Sequence, residues 1–74
     1  MTGARVALRH VEYPKDVRFV RAVLYERGWD ATLLEAETLW RLYSESMAAG
    51  WLNVNGYTPE QVFAAIEPYI EEVR

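Results

Sequence analysis

Apolar residues recur at helical spacing three times along the chain, and each run carries its own start or stop signal. Tyr13, Val17, Val20 and Leu24 stand 4, 3 and 4 residues apart. Phe19 and Val23 widen this stripe to an arc of roughly 160° at 100° per residue, which predicts a helix touching two neighbours. That helix is expected over 14–27, with Pro14 suited to its first turn and Gly28 ending it. The second run, over 32–49, places Leu33, Ala36, Trp40, Tyr43 and Met47 on one face with Leu39 beside them. Asp30 or Thr32 can cap it, Glu35 completes a capping box with Thr32, and Gly50 is its expected stop. The third, over 58–73, opens on Thr58-Pro59-Glu60-Gln61, an N-cap, a first-turn proline and a capping-box glutamine in succession. Its stripe is Val62, Ile66, Tyr69 and Val73, flanked by Phe63 and Ile70. Pro68 removes an N–H and crowds the carbonyl of Ala64, so a kink or break is expected near 68.

With 74 residues and no repeat or linker, the chain is read as one domain, 1–74. A core of this size is small, and the absence of cysteine removes disulfides as a staple. One histidine and no cysteine exclude a Cys/His zinc site. No apolar run approaches the roughly 18 residues of a membrane span, and no apolar segment follows the opening residues as in a signal peptide. These features point to a cytoplasmic protein without membrane association. Ahead of the helices, Arg5 to Tyr13 alternates, with Val6 and Leu8 on one side and Arg5, Ala7 and Arg9 on the other. This stretch, 1–13, is read as a strand or an extended arm, and 51–54 is its available strand partner. The expected fold is therefore mainly α, a compact three-helix domain with an N-terminal extended segment.

Charge divides the chain. Residues 1–27 hold Arg5, Arg9, Lys15, Arg18, Arg21 and Arg27 against Glu12, Asp16 and Glu26, whereas 28–74 hold only Arg41 and Arg74 against eight carboxylates. The halves are expected to attract one another, within one copy or between two. On the first helix Arg18, Arg21 and Tyr25 share the side away from the apolar stripe, a patch suited to a phosphate or a carboxylate surface. Its ordinary alternative is a solvated face. On the third, Glu60, Glu67 and Glu71 form an acidic ridge that opposes DNA approaching that helix and suits a basic partner surface.

Catalytic inventory is thin. His10 is the sole imidazole, Ser44 and Ser46 lie on a helix without a strained turn to expose them, and Glu35, Glu37 and Glu45 are spread around the second helix instead of converging. No glycine-rich phosphate loop is present. The sequence predicts no catalytic, cofactor or metal site. Of the ten aromatic residues, Phe19, Trp40, Tyr43, Phe63 and Tyr69 fall on the stripes and are expected in the core. Trp29 and Trp51 each follow a glycine, where a residue commonly packs back on the last helical turn. Trp29 finds Val23 or Leu24 there. Trp51 meets only Ser46 or Glu45, so it must pack on a distant element or on another molecule.

The run Trp40-Arg41-Leu42-Tyr43-Ser44-Glu45-Ser46-Met47-Ala48-Ala49-Gly50-Trp51-Leu52 resembles small phage-encoded helical proteins, which end a helix with Ala-Gly-Trp-Leu after a Trp and a Tyr/Phe-Ser pair. The resemblance implies an accessory protein that binds a host or phage macromolecule in the host cytoplasm, as an inhibitor or adaptor. It assigns no binding residue. Together these features predict a non-catalytic protein-interaction module, possible also as a homodimer, with Trp51, Arg18, Arg21 and Tyr25 as candidate contacts. A nucleic-acid-binding regulator using Arg5, Arg9, Lys15, Arg18 and Arg21 is the second reading, and a small structural or assembly protein the third.

Overall fold

The computed structural model describes residues 15–74. Helix α1 spans Lys15–Glu26, α2 Leu33–Ser46 and α3 Pro59–Ile66; a 3-10 turn, Glu67–Tyr69, leads into a last short helix, α4, Ile70–Val73. The protein is mainly α, with no strand among the described residues. No described helix is long and apolar enough to cross a membrane.

The apolar stripes explain the packing. α1 buries Val17, Val20, Val23 and Leu24, and this broad face lies against both α2 and α3. α2 contributes Ala36, Leu39 and Trp40, and α3 contributes Val62 and Ile66. Phe19, Tyr43, Phe63 and Tyr69, expected inside, are half-buried against this core; among the described residues Trp40 is the one aromatic fully within it. α2 also packs on the 3-10 turn and α4, which fold back over it. The change of helix type falls at Pro68, whose missing N–H cannot continue the α ladder.

Both α2 and α3 start with a reciprocal cap. The Thr58 hydroxyl accepts from Gln61 N at 3.1 Å, and Gln61 Oε1 accepts from Thr58 N at 2.9 Å. Thr32 and Glu35 do the same for α2. Thr58→Ala breaks half of its box, and a loss of about 1 kcal/mol is expected. In a domain this small that lowers the melting temperature by about 4–8 °C. An unchanged melt would place the start of α3 elsewhere.

The end of α2 differs from expectation. The helix stops at Ser46, three residues short of 49, and the left-handed residue that turns the chain is Ala48 at φ 56°, ahead of Gly50. Ala49 N donates to Ser44 O and Ala48 N to Glu45 O, the paired bonds of a Schellman motif. Consequently Met47 leaves the stripe and is 55% exposed, while Ser44 is buried. At Gly28 the same motif forms on glycine, Trp29 N reaching Leu24 O and Gly28 N reaching Tyr25 O. A side chain at left-handed φ costs roughly 1–2 kcal/mol, partly offset in Ala→Gly by the freer unfolded chain. Ala48→Gly is therefore expected to stabilise the domain by up to about 1 kcal/mol, read as a higher urea midpoint at unchanged slope.

Candidate interaction surface

The connection from α2 to α3 is built on side chains instead of a strand ladder. The Ser44 hydroxyl donates to Trp40 O at 2.8 Å and accepts from Leu52 N at 3.2 Å. The Trp40 indole N–H donates to Leu52 O. From α1, Asp16 Oδ1 accepts from Val54 N at 3.3 Å and Asp16 Oδ2 from the Trp51 indole N–H at 3.0 Å. The amides of Leu52 and Val54 are thus held by side-chain acceptors, and 51–54 is not a strand among the described residues. The other half of the expected pairing, Arg5–Tyr13, lies outside the described residues, as does His10. A tight turn follows: Tyr57 N bonds Val54 O at 2.9 Å, with Gly56 at φ 90°. Positive φ at the third position makes this a type II turn, where glycine is the residue without penalty.

Trp51 is thereby placed. It is 40% exposed, outside the buried core, and its indole N–H is bonded to Asp16 on α1. Met47 through Trp51, all exposed and uncharged, make the corner by which the chain leaves α2. Among the described residues, Tyr25 and Leu34, 66% and 61% exposed, are the other exposed large apolar side chains.

Trp40, Tyr43 and Tyr57 make an aromatic cluster, with Trp40 centred 5.1 Å from Tyr43 and 5.4 Å from Tyr57. The two phenol oxygens are 3.2 Å apart. This hydrogen bond, and secondarily burial, raises the Tyr43 hydroxyl above its ordinary pKa of 10.0. Because the folded state holds that proton more tightly, the stabilisation is complete below the ordinary value and lost as pH rises past it.

The patch on α1 is only partly available. Arg21 Nε donates to Ala31 O at 2.9 Å, and its guanidinium stands 3.8 Å from Asp30, so Arg21 fastens the α1–α2 connection. Arg18 and Tyr25 line a shallow cleft of about 340 Å³ with Arg21, but Glu26 and Asp30 line it too. A cleft of mixed sign is a poor phosphate site. Glu60, Glu67 and Glu71 are all exposed, but Pro68 divides them among α3, the 3-10 turn and α4. Arg21–Asp30 is the only ion pair among the described residues, so no residue of the acidic ridge pairs with a cation of α1. α1 and α3 meet instead through apolar packing and through Arg27, centred 4.3 Å above the Phe63 ring.

Asp16 and Met47 were not among the contacts expected from sequence. Asp16 reads as a first-turn acid, and its role depends on residues 35 and 38 positions away. Met47 becomes visible only once the helix end is known. Leu34 was legible, since it stands beside Leu33 outside the α2 stripe. Among the described residues no three His, Cys, Asp or Glu side chains gather as a metal site requires. Comparison with protein-family models, curated proteins and solved structures finds no match to the chain.

Proposed function

We propose that the chain is a small non-catalytic interaction module, an inhibitor or adaptor acting on a host or phage protein complex, with the Met47–Trp51 corner as its contact surface. The observation that supports this is the state of Trp51, a large aromatic held half-exposed in one orientation by Asp16. Aromatic anchors dominate protein interfaces, and one that is already ordered loses little side-chain entropy on binding. The test is capture from a bacterial host lysate on immobilised parent, Trp51→Ala and Met47→Glu proteins, each first checked by circular dichroism. A protein retained by the parent and lost by both folded variants is the expected result. Equal recovery on all three removes the corner as the contact surface. Binding of duplex DNA that falls steeply with salt and needs Arg18 and Lys15 would replace this reading with a nucleic-acid-binding one.

A further inference from the structure

We infer that the cleft where the α1–α2 turn meets α3 and α4 binds a terminal phosphate group between Arg27 and Arg74. The site shares no residue with the Met47–Trp51 corner.

Three separate stretches of chain build this cleft, which has a volume of about 120 Å³. Arg27 and Trp29 come from the turn after α1, Phe63 from α3, and Ile70 and Arg74 from α4 and the residue that follows it. Each cation sits over an aromatic ring of the same cleft. The Arg27 guanidinium is 4.3 Å from the centre of Phe63, and that of Arg74 is 5.6 Å from the centre of Trp29. A ring attracts the positive charge and orders the side chain, but it supplies no lone pair, so the N–H fork still lacks an acceptor. Among the described residues neither guanidinium has an ion pair, and no carboxylate lines the cleft. The cleft on α1 differs, because there Glu26 and Asp30 stand with Arg18 and Arg21. Two like charges that share one small space repel each other, and an anion between them reverses the sign of that interaction.

Charge and shape select the anion. A carboxylate brings one charge and two oxygens, which a single guanidinium fork satisfies. A phosphate monoester brings a charge of about −1.5 to −2 at neutral pH and three acceptor oxygens, enough for both forks. The cleft holds the volume of about four waters, so it takes the phosphate group while the group's carrier stays outside.

Titration with inorganic phosphate at constant ionic strength tests this, followed through the Nε–H resonances of Arg27 and Arg74 and the indole N–H of Trp29. Saturable shifts are expected at all three, with acetate binding at least about tenfold more weakly. Arg27→Lys and Arg74→Lys keep the charge and lose the fork, so each should weaken phosphate about tenfold, read at Trp29. Arg41→Lys, exposed on α2 and outside the cleft, should leave binding unchanged. A short phosphoserine peptide with neutral flanks separates the sources of the group. Tighter binding than inorganic phosphate through the same two arginines makes the carrier a protein side chain, and equal binding makes the ligand a small phosphate. No saturable shift with either probe overturns the inference, and so does binding that acetate matches or that both lysine variants retain in full.

Discussion

Trp40→Ala is expected to leave the chain largely unfolded at room temperature. Trp40 is fully buried, the largest side chain in the core, and its ring meets Tyr43 and Tyr57. Removing such a ring costs roughly 3–5 kcal/mol through lost burial and the cavity left behind. Domains of this size have total stabilities of roughly 4–11 kcal/mol, so the loss consumes much or all of the margin. Trp40→Phe separates two contributions, because it keeps most of the apolar volume while leaving the Leu52 carbonyl without its indole donor. Its cost should be nearer about 1–3 kcal/mol, the penalty of one orphaned buried group. Urea unfolding followed by circular dichroism orders the three proteins. A Trp40→Ala chain that melts within a few degrees of the parent would contradict the packing described above.

The second large effect is expected at Asp16. Asp16→Ala releases Val54 N and the Trp51 indole together and removes the acid from the first turn of α1. Hydrogen bonds to a charged acceptor contribute roughly 1.5–3 kcal/mol, and the first-turn charge adds about 0.3–1 kcal/mol. Asp16 is half-buried and its bonds are of ordinary length, so a total near about 2–3 kcal/mol is expected. Asp16→Asn keeps a single acceptor oxygen and should fall between the parent and the alanine variant. The indole proton resonance of Trp51 provides a second readout, moving toward its free-peptide position in Asp16→Ala. Parental stability together with an unmoved indole resonance would show that Asp16 does not hold the corner.

The helix starts were legible because their chemistry is local. Thr32 with Glu35 and Thr58 with Gln61 close their boxes within one turn, and no distant residue is consulted. Pro68 acts as locally, on the carbonyl one turn back. Helix ends follow a less local rule. A left-handed residue must close α2, and glycine is the usual occupant, but Gly50 stands two residues past the position used. Stopping at Ser46 leaves the buried Ser44 hydroxyl to receive Leu52 N, while Ala48 accepts the unfavourable dihedral. The stripe therefore misassigned Met47 and could not foresee Ser44. The candidate surface was less legible still. Trp51 stood out by lacking an apolar neighbour in the preceding turn. What it does instead depends on Asp16, and what Arg21 does depends on Ala31, pairings fixed by how α1 lies on the rest. An arginine on the outer face of an isolated helix wheel looks free until the chain returns past it.

The side-chain scaffold of 51–54 carries a consequence for how this region opens. Amide protons in an irregular connection ordinarily exchange with solvent through small local fluctuations. Here Leu52 N and Val54 N are shielded by acceptors on α2 and α1, two helices that must be docked for both bonds to exist. Deuterium should consequently enter these two positions at rates approaching those of the helical core, more slowly than at their exposed neighbour Asn53, which has no such acceptor among the described residues. The connection thus behaves as a latch between α1 and α2, and its slowest amides report separation of the helices instead of motion of the loop.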